Sequence, residues 1–146
     1  GYVVGIITIP KYIKQEKALI ISAVLGIIFS LGVLLTSSTG VGISSVVFGW
    51  LGISAVPDSV FFLALLGFAN AMVWPTLWPL ALEGLGKFTK IGSAILIMGI
   101  AGGAILPPLY GVLSSSFSPQ GSYLITLPCY LFILYYAVVG HKKRSW

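Results

Sequence analysis

Long uncharged apolar stretches alternate with short polar segments along this chain, and the pattern predicts helices that cross a membrane. At 1.5 Å per residue, a stretch of about 20 residues spans the hydrocarbon core of a bilayer. Four stretches are long enough, at about 18–37, 59–82, 91–114 and 122–140, and an apolar run at 1–10 is the expected tail of a preceding helix. The pattern therefore predicts an all-α integral membrane protein with four full transmembrane helices and part of a fifth.

Composition supports the same class. Hydrophobic residues make up 58% of the 146 residues and charged residues 8%, whereas a soluble domain carries about 25% charged residues. Because the chain begins at Gly1, within an apolar run, we expect an upstream part that is not included here. The single Cys129 excludes an internal disulfide.

The net charge of +5 could indicate binding to nucleic acid or acidic lipid, but the placement of the charges indicates membrane topology instead. Four spans put all the basic clusters on one side of the membrane, and the positive-inside rule makes that side cytoplasmic. We therefore expect a multi-pass protein with a cytoplasmic C-terminus and no nucleic-acid partner. The clusters are Lys11/Lys14/Lys17, Lys87/Lys90 and Lys142/Lys143/Arg144.

The connection at residues 38–58 is ambiguous, because the 16 apolar residues from Val41 to Val56 could almost span. If they did, Lys87 and Lys90 would move away from the side of the first basic cluster. We therefore expect an interfacial or re-entrant segment on the outer side, with Trp50 at the level of the lipid headgroups. Asp58 is the predicted N-cap of the second span.

The second span contains polar and aromatic side chains at mid-depth. Asn70, Trp74 and Trp78 are four residues apart, so they share one helix face, and an amide and indole N–H groups in hydrocarbon need partners. Pro75 and Pro79 remove two backbone donors at the same place, and broken membrane helices line cavities or pack on protein. This combination favours a sugar site, where rings stack and the amide binds hydroxyls. The alternative is a polar clamp between helices, with the tryptophans anchored in the interface.

The third span contains a seam of small residues, formed by Gly99, Gly102 and Gly103, which would let another helix approach closely. Pro107, followed by Pro108, is expected to end or kink this helix near its outer end. The seam is consistent with simple packing and also with a sliding interface involved in gating.

Chemically reactive groups are scarce within the spans. The three acidic residues, Glu16, Asp58 and Glu83, sit at membrane edges, and the spans contain no Cys/His cluster or nucleophile–base pair. We therefore expect no enzyme, no metal site and no resident cofactor. A co-transported proton needs a titratable group inside the membrane, which would have to lie outside this segment.

Two stretches of the sequence resemble a known family. FANAMVWPTLWPLALEGLGKFTKIGSAILIMGIAGGAILPPLYG and LPCYLFILYYAVVGHKKRSW look like the end of a bacterial sugar permease of the major facilitator superfamily. The similar group is the fucose–galactose–glucose/proton symporter family, and the shared features are the proline pair, a GxGKxTKxGSA loop, a glycine-rich helix and a basic tail.

The resemblance implies the C-terminal part of a twelve-helix fold, with the four spans here as helices nine to twelve. Helix ten would line the central cavity and present Asn70, Trp74 and Trp78 to substrate, while helices nine and twelve would be outer supports that face lipid. The coupling carboxylates would belong to the missing N-terminal half of the same chain.

The expected function is secondary active transport of a glucose-, galactose- or fucose-like monosaccharide across the bacterial inner membrane, by alternating access and with a co-transported proton or other cation. Its partners would be the sugar, the lipid bilayer and the N-terminal half. The alternative is a helical membrane scaffold or subunit that transports nothing and binds partner helices through its glycine seams.

Overall fold

The computed structural model describes residues 13–50, 52 and 54–143, together with residues 3, 5 and 9. Apart from those three positions, the predicted helix tail at 1–10 lies outside the described residues, as do Lys11 and Arg144. Within the described part, the regular secondary structure is helical. The α-helices are α1 (Gln15–Leu35), α2 (Gly42–Gly49), α3 (Asp58–Asn70), α4 (Val73–Leu82), α5 (Thr89–Met98), α6 (Gly102–Ser116) and α7 (Thr126–Val138).

Four helical stretches of the described chain are long and apolar enough to cross a membrane, which confirms the predicted fold class. They are Gln15–Leu35, Asp58–Leu82, Gly86–Ser116 and Gly121–Lys142. The second combines α3 and α4, and the third combines α5 and α6. By contrast, α2 has eight residues, which is about 12 Å of helix and too short to span.

Helix α1 is the centre of the described bundle, where it packs against α3, α4 and α7. Its other side exposes large apolar side chains such as Ile21, Ile28 and Leu35, and its expected role as an outer, lipid-facing support of the complete fold stays a prediction. Its buried face is built on a four-residue repeat of small side chains, which lets neighbouring helices come close. The repeat consists of Ala18, Ser22, Gly26 and Ser30.

Two glycines of α1 accommodate aromatic rings. A Cβ atom at Gly26 would overlap the ring of Tyr130 on α7, and one at Gly32 would overlap the ring of Phe62 on α3. Any larger residue at these positions would push α1 away from its neighbours, because packed interiors have little free space.

Polar contacts hold the far end of α1 to the last hairpin. The Thr126 hydroxyl donates to Ser30 Oγ at 2.9 Å, and Gln120 Nε2 donates to the Val33 and Thr36 carbonyls at 2.5 Å each. The last carbonyls of a helix have no intrahelical partner, so the Gln120 amide supplies one. The turn before α7 is thereby fixed to the C-terminus of α1.

The third span is attached more loosely than the others. No residue from Gly86 to Ser116 is buried; the span packs mainly through contacts of α5 with α4 and of α6 with the 3-10 turn Gly121–Ile125. Of the two expectations for Pro107, an end or a kink, the end is wrong, because α6 continues through Pro107 and Pro108 to Ser116, and the kink stays a prediction. Proline has a helical φ, so the helix can continue once it forgoes two backbone hydrogen bonds. The interruption is instead the 3-10 turn at Gly99–Ala101.

The two ends of the bundle differ in charge. At one end Glu16 pairs with Lys142, and a cleft brings Lys14 and Glu83 to the same place. We call this end the basic pole. The opposite end, where the hairpin turn around Gln120 and the connection 38–58 lie, has Asp58 as its one charged residue among the described positions, and we call it the neutral pole.

Asp58 acts differently from the sequence prediction. Pro57 is the N-cap of α3, and Asp58 is the first residue of the helix, with no capping bond to it. Its carboxylate instead accepts the Ser44 N–H at 2.8 Å, at the start of α2. Its own N–H donates to the Gly40 carbonyl at 2.8 Å. The prediction that Asp58 caps its own helix is therefore wrong. Its carboxylate binds the start of α2 instead, because the connection folds so that the first turn of α2 lies beside it.

Candidate functional site

The second span is broken in its middle. Helix α3 ends at Asn70, Ala71 and Met72 form a turn, and α4 begins at Val73. Pro75 follows directly and cannot donate to the carbonyl four residues earlier. The buried Thr76 hydroxyl donates to the Met72 carbonyl at 2.7 Å, and this carbonyl also accepts the Thr76 N–H. The interruption thus coincides with the proline-containing stretch near the middle of the second candidate span.

Asn70 faces a cavity of about 640 Å³ between α3, α6 and α7, which we call the Asn70 cavity. Its walls are mainly apolar, with an amide, hydroxyls and a thiol among them. The Asn70 side chain is exposed, and its amide makes no hydrogen bond to any residue that the structure describes. The polar side chains of the lining are Asn70, Tyr110, Tyr123, Thr126, Cys129 and Tyr130.

A second cavity of about 420 Å³, the neutral-pole cavity, adjoins the first. Leu63, Tyr110 and Tyr123 line both. The two tyrosine rings lie with centroids 5.1 Å apart, and the Tyr110 hydroxyl donates to the Pro119 carbonyl at 3.0 Å. The tyrosine pair therefore stands between the Asn70 cavity and the neutral pole.

Trp74 and Trp78 lie elsewhere. Their rings are 5.4 Å apart and tilted by 50°, and with Pro75, Pro79 and Ile97 they line a separate cleft of about 460 Å³, the tryptophan cleft. The predicted common face of Asn70 and the tryptophans is divided between two cavities. Ala71 and Met72 keep helical dihedrals. Each step of four residues turns about 40° round a helix, so residues of one broad face can line different cavities.

The glycine seam of the third span has no neighbour in the described chain. A Cβ atom at Gly99, Gly102 or Gly103 would meet no described atom within 4 Å. A helix that packs on this seam remains a prediction. The glycines that do pack closely, Gly26 and Gly32, were not singled out from the sequence, although the repeat of small residues in α1 was a usable signal.

Groups that could hold a metal are not brought together. Within the described residues, His, Cys, Asp and Glu form no cluster of three or more. His141 lies at the basic pole, with Nε2 3.7 Å from Glu16. Cys129 lies on the wall of the Asn70 cavity, where its thiol donates to the Ile125 carbonyl at 3.4 Å.

Comparison with known proteins identifies relatives that are named as sugar transporters or symporters. A glucose/galactose transporter of Brucella abortus is 38% identical over 78 residues, which is 53% of this chain and 19% of the relative. An L-fucose-proton symporter of Haemophilus influenzae is 29% identical over 142 residues, which is 93% of this chain and 28% of the relative. The chain is a homologue of bacterial sugar transporters. No family model and no solved structure matches it.

The sugar-transporter homology extends over about half of the chain in one relative and nearly all of it in the other. The chain spans between about a fifth and somewhat more than a quarter of the length of these relatives. The four candidate spans agree with a segment of a multi-pass membrane transporter. In this sugar-transporter homologue, the broken second span and the cavities beside it are the candidate site.

Proposed function

We propose that the chain is part of a secondary active transporter that carries a monosaccharide of the glucose, galactose or fucose type. The reaction is translocation by alternating access, with no covalent chemistry. The observation that carries the proposal is the Asn70 amide, which lines a 640 Å³ cavity and has no hydrogen-bond partner among the described residues. The names of the relatives supply the substrate class.

The chemistry of the Asn70 cavity suits a sugar. The amide offers two N–H donors and a carbonyl acceptor to neighbouring ring hydroxyls. Tyr110, Tyr123 and Tyr130 contribute ring faces and hydroxyls to the same wall, and aromatic rings pack on the apolar C–H face of a sugar. Asn70 is accordingly the proposed hydrogen-bonding residue.

Trp74 and Trp78 receive a separate role. They line the tryptophan cleft on the basic-pole side of the break, so we assign them to stacking on the sugar as it enters or leaves there, or to closing the cavity. Pro75 and Pro79 would keep this half of the span from forming a continuous helix, and the seam at Gly99, Gly102 and Gly103 would be a surface for the rest of the transporter.

Membrane placement follows from charge. The basic pole is the proposed cytoplasmic side of a bacterial inner membrane, since Lys14, Lys142 and the segment after Glu83 with Lys87 and Lys90 belong to it. Coupling to a proton or another cation is assigned to the rest of the transporter, because Glu16, Asp58 and Glu83 lie at helix ends. An intramembrane carboxylate is the usual proton carrier in such proteins.

A second candidate is a helical scaffold that binds other membrane helices and transports nothing. The open glycine seam of the third span favours it, because small residues mark helix interfaces. Sugar uptake by the product of the complete gene discriminates the two functions, since a scaffold gives no uptake.

Cys129 offers a direct test of the sugar site, because it is the single cysteine of the chain and lines the Asn70 cavity. Galactose or glucose should slow its alkylation by a maleimide several-fold, and mannitol at equal osmolarity should not. Asn70→Ala should abolish protection, whereas Gln15→Ala, an amide at the basic pole, should keep it.

The possible outcomes test the site assignment and the carrier function separately. If galactose, glucose and fucose all fail to protect Cys129 while the complete gene product takes up one of them, the site assignment is wrong and the carrier function stands. If uptake is absent in an expressed, membrane-inserted gene product, the carrier function itself is wrong.

A further inference from the structure

Helix α2 in the connection between the first two spans carries an exposed apolar stripe. Ile43, Val46, Val47 and Trp50 are spaced at i, i+3, i+4 and i+7, so they share one face of the helix. Val46 is 77% exposed and Trp50 is 90% exposed. An apolar stripe that is this exposed in the described structure marks a surface that binds a partner.

Contacts on another face of α2 determine which way the stripe points. Ser44 lies on another face, where its N–H binds Asp58 and its hydroxyl binds the Val56 carbonyl. Phe48, on the same face as Ser44, packs edge-to-face on Phe61 of α3 with ring centroids 5.6 Å apart. Because these contacts hold α2 by its inner face, rotation cannot bury the stripe on the described chain.

The position of α2 indicates which partner covers the stripe. The helix sits at the neutral pole, between the end of α1 at Leu35 and the start of α3 at Asp58, where two spanning helices reach the membrane surface. Residues 38–57 carry no charged side chain, so insertion into the headgroup boundary desolvates no ion. Tryptophan at a helix end is enriched at this depth.

We propose that α2 is an interfacial helix that inserts Ile43, Val46, Val47 and Trp50 into the bilayer at the neutral pole. Its partner is the lipid surface, and its binding depends on buried apolar area rather than on anionic lipid, since it has no basic residue. This inference is independent of the sugar assigned to the transporter.

Spin labels test the proposal in the full chain, reconstituted in phosphatidylcholine vesicles in a Cys129→Ser background. Val46→Cys places a label on the stripe. Ser45→Cys places the matched control on the preceding residue, which is exposed on a third face. The ratio of collisions with oxygen to collisions with a water-soluble nickel chelate should be several-fold higher at position 46 than at position 45. Adding phosphatidylglycerol should leave the ratio unchanged.

A second pair of variants covers the case in which a label disturbs the helix. Val46→Asp should accelerate amide hydrogen exchange in α2 several-fold in vesicles, because it places a charge in the apolar boundary, and Ser45→Asp should not. Equal collision ratios at both positions, or a label at position 46 that is shielded from both probes by protein, would overturn the proposal. So would equal exchange in the two aspartate variants.

Discussion

The Glu16 carboxylate lies 2.8 Å from the Lys142 ammonium group, so the first residues of α1 and the last residues of the final span meet at the basic pole. Both side chains are partly exposed, so solvent screens the pair and it contributes little to stability. Its significance is geometric, because it places the two ends of an even number of spans on the same side of the bundle.

This arrangement predicts the labelling pattern of engineered cysteines. In a Cys129→Ser background, Lys17→Cys and Lys90→Cys should react with a membrane-impermeant maleimide from the same face of oriented vesicles. Ser38→Cys and Phe117→Cys should react from the other face, because they lie toward the neutral pole. Labelling of position 90 together with position 38 would mean that residues 38–58 cross the membrane.

Two serines on the buried repeat of α1 should respond in opposite ways to the same substitution. Ser22 Oγ is buried without a hydrogen-bond partner in the described structure, so Ser22→Ala should raise the free energy of unfolding by about 1 kcal/mol. Ser30 Oγ accepts from Thr126, so Ser30→Ala should lower it by roughly 0.5–1.5 kcal/mol. Unfolding in mixed detergent with sodium dodecyl sulfate measures both. Effects of the same sign would show that burial, and not hydrogen bonding, decides the contribution.

Asp58 should control the folding of α2. Asp58→Ala removes the acceptor for the Ser44 N–H, and loss of such a cap costs about 0.5–2 kcal/mol. Amide exchange at residues 42–45 should therefore become faster, while exchange in the middle of α1 stays constant. Asp58→Asn keeps a side-chain oxygen and should have a smaller effect. Unchanged exchange in the alanine variant would show that the Phe48–Phe61 contact alone holds the helix.

The tyrosine pair should limit access to the Asn70 cavity from the neutral pole. Tyr110→Ala removes a ring that separates the two cavities, so alkylation of Cys129 by a bulky maleimide added on that side should accelerate several-fold. Tyr110→Phe keeps the ring and loses only the bond to Pro119, so its rate should stay near the wild-type rate. If alkylation of Cys129 is accelerated equally in both variants, the Tyr110 hydroxyl and not its ring determines access.

The spans could be predicted from the sequence because their signal is local. An uncharged run of some 20 residues specifies a membrane helix without any knowledge of its neighbours. The placement of Lys14, Lys87 and Lys142 likewise indicates the number of crossings, and the Glu16–Lys142 pair is in keeping with it. The same rule predicted that the connection at residues 38–58 does not span, because spanning would divide the basic clusters, but it did not predict the eight-residue helix there.

The tertiary relationships could not be predicted in this way. Asp58 looks like a cap of its own helix, and only the folded connection shows that its carboxylate reaches Ser44. Asn70 and Trp74 are nearly in phase on an ideal helix, but the packing of the other helices places them in different cavities. The glycine-rich third span attracted attention by composition, while the less conspicuous Gly26 makes the close contact with Tyr130.

The contact between Gly26 and Tyr130 also orders the assembly of the protein during synthesis. Helix α1 emerges from the ribosome before α3 and α4, and can pair with them as soon as they follow. The ring that fills the groove at Gly26 belongs to α7, which is made after every other described helix. Until translation reaches Tyr130, the groove at Gly26 lacks the ring that fills it.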